Sequence, residues 1–399
     1  MGNRAKLLAD MEKTLFGSSN KLGVGLNELE KAQLGLVKLF MPEVDTRGVA
    51  AFNSFRDAYT HFTGDNELIL YPRLEIIPQK VSAGLRACAA FTSSSFTYAL
   101  QNVLSMYLSK IYKAFPYHED ILISDKKKAD YLKTIYSIQL GYFGDLPDVD
   151  PEAGDYDNLE QYTDTESQYD LSQKGTILWI TRKHLLNDSI DLVKAMVERI
   201  GRAARKTHAK YVWDFYINNS NCPDGTAWFT SGHGNLGSNA LDFTPLVTAI
   251  TALANMTEPS PSNTKIGLDF ADFGWHLVVP IDLWDTAAKK NQTQFYYTAN
   301  DVSTGVANPC YRLFGDHNER IIVCPFLTDT NDWGVIRNKE DVPIIEMSYL
   351  EGREEPDLVL ATEYDLTEAA FLRDKLGYKC RHEYGGTVAE YRGGYKSGV

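Results

Sequence analysis

The chain has no run approaching the ~20 consecutive apolar residues of a membrane-spanning helix, so no helical span is expected. Its opening stretch, residues 1–17, lacks the apolar centre of a secretory signal, which predicts synthesis in the cytoplasm. Cysteine is sparse: Cys88, Cys222, Cys310, Cys324 and Cys380 are scattered, with no CxxC and no Cys/His pair at zinc spacing. Buried free thiols in a reducing compartment are the expectation, rather than disulfides or a metal site. No nucleophile elbow, HExxH, P-loop or dinucleotide fingerprint occurs, so no catalytic residue, cofactor or metal is expected. Positive charge is also short, at 40 basic against 53 acidic residues and a net −13. That excludes a protein coated in nucleic-acid-binding charge and leaves only local contact with DNA.

What is present is ordinary globular composition, 44% hydrophobic and 23% charged, over 399 residues. Since single cores stop growing near ~250–300 residues, two or three folded units are expected. The 23 Tyr and 18 Phe suit extensive interfaces as well as cores. Residues 1–40 read as one or two short helices of modest apolar content, an arm rather than a core element. Residues 66–78 read as a strand. Apolar residues at 100, 103, 104, 107, 108 and 111 predict a helix over 96–112, with Ser93, Ser94 and Ser95 as candidate caps. Strand-like runs at 131–143 and 176–181 flank a stretch, 141–170, with ten acidic residues and no Lys or Arg. Pro147, Pro151 and Gly154 break regular structure there, so a long hairpin with an acidic tip is expected.

A helix over 188–218 follows, capped at Asn187/Asp188. Ile190, Val193, Val197, Ile200, Ala204, Tyr211 and Phe215 form its apolar stripe, and Lys194, Arg199, Arg202, Arg205, Lys206 and Lys210 its basic flank. Helices at 244–256 and 281–291 with strands at 276–280 and 320–325 suggest an α/β unit. Strands at 342–349, 358–361 and 378–384 around a helix at 367–376 complete the chain.

Two segments invite a chemical reading. Counted from Asp148 as a calcium loop, positions 6 and 12 hold Ala153 and Leu159 instead of glycine and an acid, so a solvated acidic loop is favoured. Gly232-His233-Gly234 could be a catalytic loop, but glycines on both sides of the histidine favour a structural turn needing positive φ. His233→Gln is accordingly expected to be near neutral. Lys126-Lys127-Lys128 reads as a solvated charge run, and the basic helix flank as an interface for an acidic hairpin or nucleic acid.

The stretches Ser93-Ser-Ser-Phe-Thr-Tyr-Ala-Leu-Gln-Asn-Val-Leu104 and Ile180-Thr-Arg-Lys-His-Leu-Leu-Asn-Asp188 come first in a recognisable order. Gly201-Arg-Ala-Ala204, Trp228-Phe-Thr-Ser-Gly-His-Gly-Asn-Leu236 and Leu277-Val-Val-Pro-Ile-Asp-Leu283 follow. In that order they resemble major capsid proteins of tailed bacteriophages with the Hong Kong 97-type fold, particularly the branch with the Mu-like head subunits. The resemblance implies an α+β fold with an N-terminal arm or region (1–64), P-domain entry (65–124), E-loop (125–187), spine helix (188–225), A-domain (226–335) and return to the P-domain (336–399). It implies a self-assembling icosahedral shell of hexamers and pentamers in the virion, assembled in the host cytoplasm. Implied partners are a portal, a scaffold or maturation protease, a possible decoration protein and packaged double-stranded DNA held by non-specific contact, with no membrane. Candidate assembly residues are Arg199, Arg202 and Lys206 on the helix, Asp148, Asp150, Glu152 and Asp155 in the acidic tip, and Trp179. An encapsulin-like compartment is the nearest alternative. A soluble α/β hydrolase-like enzyme around His233 and Asp224 is the rival of a different class.

Overall fold

The computed structural model describes residues 28–44, 49–63, 93–139, 165–258, 265–266, 274–298, 301–340, 342–360 and 375–398. In chain order the helices are α1 (Glu28–Phe40), α2 (Phe55–Thr63), α3 (Ser93–Ala114), α4 (Arg182–Leu186), α5 (Ile190–Ile217), α6 (Phe243–Ala254) and α7 (Trp284–Gln292). The strands are β1 (Ile123–Ala129), β2 (Ile135–Gln139), β3 (Thr165–Tyr169), β4 (Ser172–Thr181), β5 (His276–Val279), β6 (Phe295–Thr298) and β7 (Asp301–Ala307). They continue with β8 (Ile321–Val323), β9 (Trp333–Ile336), β10 (Ile345–Leu350), β11 (Asp357–Leu360), β12 (Lys375–Val388) and β13 (Gly394–Ser397). The content is α+β, as expected. Two compact units divide the chain: Met1–Phe115 with Gln173–Arg205 and Arg353–Glu383, and Pro116–Ser172 with Lys206–Gly352 and Tyr384–Val399.

The first unit is organised by α3. Its stripe Leu100, Val103, Leu104 and Leu108 is fully buried, against Phe40, Phe55 and Phe62 of α1 and α2 and Val193 and Val197 of α5. Gly201 explains how closely α5 approaches: a Cβ there would come within 2.9 Å of Ile111. On the sheet side, Leu178, Ile180, Leu358 and Tyr378 close the same core, and β11 pairs antiparallel with β12 from Asp357↔Arg381 to Leu360↔Tyr378. The expected arm is therefore corrected where it is described. Leu36 and Val37 of α1 and Phe55, Ala58 and Phe62 of α2 are 0% exposed. Few in number, these residues fall on one face of each helix, so modest apolar content still makes a core element.

The expected cap is corrected as well. Asp188 stands at φ 48, and its Oδ1 accepts from the backbone N–H groups of Phe55 (2.6 Å) and Arg56 (3.4 Å). It thus caps α2, not the helix it precedes. Ser54 Oγ accepts from Asp57 N–H at 2.9 Å, satisfying another donor of the same helix end.

In the second unit β1 runs parallel to β10, and β10 antiparallel to the later part of β12. A four-stranded sheet in the order β13-β9-β5-β8 carries α6 and α7 on its core, with Leu246, Ala249, Leu253 and Ala287 buried against Leu277, Val279 and Val335. Around the other core, the later part of α5 buries Ala209, Val212, Trp213 and Tyr216, while Tyr211 and Phe215 are half-buried. The stripe expected from sequence is thus displaced by one residue over this half of the helix, because two large aromatics, Trp213 and Tyr216, take the fully buried positions.

The hairpin also differs from expectation. β2 pairs antiparallel with β3, Ile135↔Tyr169 to Gln139↔Thr165, whereas β4 pairs with β12. Residues 125–129, expected in the E-loop, belong to β1, which pairs with β10. The expected strand at 66–78, the acidic tip and most of the helix at 367–376 lie outside the described residues, and Lys375 already begins β12. Cys222, Cys310, Cys324 and Cys380 are buried free thiols, and burial raises the last three to about 11, leaving them protonated at neutral pH. Cys88 lies outside the described residues.

Candidate functional site

Arg199, Arg202 and Lys206 are all exposed along α5 at i, i+3 and i+7, one face of a helix. Arg202 lies with its guanidinium 4.5 Å from the Phe115 ring centroid, a packing contact that leaves its charge to solvent. Arg205, on the same flank, donates from Nε to the Phe115 carbonyl at 3.0 Å and is half-buried. The flank is therefore partly structural, with the three expected residues as its outward part.

Trp179 is 36% exposed and Ile177 52%, whereas Leu178 and Ile180 are buried, the alternation of a strand with one face on a core. Gly377 makes room for the indole, since a Cβ there would meet the ring at 2.8 Å. Asp148, Asp150, Glu152 and Asp155 lie outside the described residues.

At the base of the β2–β3 hairpin is an arrangement that sequence reading missed. Glu346 of β10 is 5% exposed. Its Oε2 accepts from Lys127 Nζ (2.7 Å) and Ser137 Oγ (2.5 Å), and its Oε1 from Tyr169 OH (2.7 Å). Burial opposes its ionisation, but Lys127, Ser137 and Tyr169 outweigh that and hold the carboxyl below its ordinary value. Ser137 is on β2 and Tyr169 on β3, so one carboxylate grips both arms of the hairpin. Within the Lys126–Lys128 run, Lys127 is committed to this carboxylate, a role the charge run alone did not reveal.

The turn at residues 232–234 is built around His233. Gly234 has φ +70, while Gly232 is not among the positive-φ residues, so only one of the two glycines is required by backbone conformation. His233 stacks on Tyr391 with ring centroids 3.9 Å apart. Its Nδ1 meets the Trp228 carbonyl at 3.1 Å, and its Nε2 meets both Asp224 Oδ2 and Thr226 Oγ1 at 2.8 Å. Burial pushes the Asp224 carboxyl up, but hydrogen bonds from Thr226 and His233 prevail and hold it low. In a hydrolytic relay the nucleophile and the carboxylate occupy opposite ring nitrogens. Here hydroxyl and carboxylate share Nε2 and a carbonyl takes Nδ1, which is a structural clasp.

Asn235, 0% exposed, completes the turn: its Nδ2 reaches the carbonyls of Trp228, Tyr391 and Gly394 at 2.8, 3.2 and 3.2 Å. Its place in the Gly-His-Gly-Asn string was visible, but not its role. The expected neutrality of His233→Gln is therefore revised, because glutamine cannot stack on Tyr391 and serve both hydrogen-bonding ends. It should cost about 1–3 kcal/mol in urea unfolding. A cost below 0.5 kcal/mol, roughly that of a surface change, would contradict the clasp.

The family described as phage capsid protein matches residues 164–397, more than half of the chain. No curated protein matches the sequence. Among solved structures the chain is similar to the capsid of an empty GTA particle, at 9% identity over 71% of this chain and 90% of that chain, with TM-score 0.44. It is also similar to a virus-like particle from Pyrococcus furiosus, at 10% identity over 74% of this chain and 97% of that chain, with TM-score 0.44. A third is the procapsid of bacteriophage JBD30, at 13% identity over 76% and 75% of the two chains, with TM-score 0.39.

Proposed function

Because the chain belongs to the phage capsid protein family and is a major capsid protein of a phage head, we propose that it acts through its interfaces and not by catalysis. The family match over 164–397 carries this reading, and the His233 clasp, which is not a relay, supports it. The protein works in the virion as one of many identical copies. In the proposal those copies form hexamers and pentamers on the Hong Kong 97-type plan, assembled in the host cytoplasm around a portal with a scaffold or maturation protease. Packaged double-stranded DNA meets the shell by non-specific contact, and a decoration protein is a further possible partner. The 141–170 segment carries ten acidic residues and no Lys or Arg, a charge pattern suited to meeting a basic face on a neighbouring copy. Arg199, Arg202 and Lys206 supply an exposed positive face of the kind such a segment needs.

Negative-stain microscopy of the purified protein is the test, with closed shells as the expected result and dispersed subunits as the result that overturns it. Two variants test the surfaces. Deleting residues 145–164, which spares β3, should leave a folded subunit that no longer closes into shells, and normal particles from it would refute the role of that segment. Arg199→Glu with Arg202→Glu should impair assembly or make it salt-sensitive at little cost to the subunit, since surface ion pairs are worth ~0–1 kcal/mol. Unfolding of that double variant would assign the face to the interior of the subunit instead.

A further inference from the structure

Four basic residues gather at one end of the four-stranded sheet of the second unit. His276 opens β5 and pairs with Ile336 of β9. Arg320 immediately precedes β8, and its carbonyl accepts from the N–H of Leu277, at 2.9 Å. Lys339 follows β9 and donates from Nζ to the Asp120 carbonyl at 2.8 Å. That bond ties it to the short 3-10 turn Glu119–Ile121, whose preceding residue, His118, stands at φ 57.

The charges acting on His276 are those of Arg320, His118 and Lys339, all of one sign. The nearby acids are engaged elsewhere or lie at the rim. Glu119 faces His208 at 3.3 Å and Glu319 faces His317 at 3.4 Å, while Asp120 and Glu340 are exposed. Two polar atoms stand out: Arg320 Nη1, a donor, and His276 Nδ1, a donor in one tautomer of the neutral ring, are buried without a hydrogen-bond partner among the described residues. Buried polar atoms are nearly always paired, and a cationic cluster with two such atoms unpaired fits an anionic ligand.

We propose that His118, His276, Arg320 and Lys339 form a binding site for a phosphate-type oxyanion, either a phosphodiester of nucleic acid or free phosphate. Arg320 supplies a planar fork matched to phosphate oxygens, Lys339 and His118 supply compact donors, and His276 supplies a ring N–H. Burial and its cationic neighbours hold His276 to about 4, so it enters as a neutral donor at pH 7. A bound dianion supplies the missing negative charge and draws that value upward.

The test titrates inorganic phosphate into the purified full-length chain at pH 7, with chloride keeping ionic strength constant, and follows heat of binding and thermal unfolding. Saturable binding, with a rise in unfolding temperature that chloride does not reproduce, is the expected result. Arg320→Gln should weaken phosphate about tenfold or more, the loss of a charge-assisted pair. Two milder variants cover the case in which Arg320→Gln fails to fold: Lys339→Gln, and His118→Asn, whose asparagine tolerates the left-handed backbone. Each should weaken binding severalfold with an unchanged unfolding temperature in phosphate-free buffer. A short DNA duplex that displaces phosphate identifies the phosphodiester as the ligand, and one that does not identifies free phosphate. Absence of phosphate binding, or undiminished binding in both Lys339→Gln and His118→Asn, overturns the site.

Discussion

Glu346→Ala should lower the stability of the dispersed subunit by about 3 kcal/mol, because it strands several partners at once. Lys127, Ser137 and Tyr169 all donate to this carboxylate, and Tyr169 OH meets Ser348 Oγ at 2.7 Å as well. Glu346→Gln should cost less, since the amide oxygen can still accept from Tyr169 while its NH2 faces donors. The sign of the pH dependence follows from the lowered carboxyl of Glu346. A group held low in the folded state stabilises above its ordinary value, and that contribution is lost as pH falls through the folded value. Acid should thus mimic the substitution below the usual carboxylate range. Hydrogen exchange gives the sharper readout: amides of 135–139 and 165–169 should exchange faster in Glu346→Ala, and those of α6 should not. Unchanged exchange in the hairpin would mean that its backbone pairing alone holds it, and that the carboxylate contributes nothing to its placement.

Periodic features were legible in the sequence, and features made by distant pairs were not. The stripe of α3 at 100, 103, 104, 107 and 108 is the buried face, and α5 runs within a residue or two of its expected limits. The strands at 276–279, 321–323 and 345–350 also fall where apolar runs placed them. By contrast, Asp188 caps a helix 133 residues earlier in the chain, and Glu346 binds Ser137 across 209 residues. No local pattern announces such a contact; both residues look like ordinary acids next to apolar runs. The hairpin was misread for a related reason. β3, Thr-Glu-Ser-Gln-Tyr, is polar, and its single large anchor, Tyr169, lies within the acidic stretch that suggested irregular structure. What holds the turn at His233 was not legible, because the ring that stacks on it, Tyr391, belongs to a segment 158 residues away.

The other large effect is expected at Phe96→Ala, which should cost the subunit about 3–5 kcal/mol, the range for deleting a buried aromatic. Phe96 is 0% exposed and its ring centroid lies 6.0, 5.1 and 5.8 Å from those of Phe55, Tyr59 and Phe62. The pairs with Tyr59 and Phe62 are edge-on, and pairs of that kind add ~0.5–1.5 kcal/mol each beyond the area they bury. Tyr98 on the same helix is 60% exposed, so Tyr98→Ala is the control, expected within ~0.5 kcal/mol of the parent. The comparison decides between an N-terminal arm and a core segment, because all three ring partners of Phe96 come from α2. If α2 joined the fold only through contacts with neighbours in a shell, its rings would contribute little to a dispersed subunit. Phe96→Ala would then resemble Tyr98→Ala in urea. If α2 is part of the core, Phe96→Ala removes a substantial share of the ~5–15 kcal/mol typical of a folded unit. Asp188→Ala should act in the same direction by about 1 kcal/mol, the usual worth of a helix cap. A parent-like denaturation midpoint for Phe96→Ala in the dispersed subunit would return residues 55–63 to the N-terminal arm or region (1–64) that the family resemblance implies.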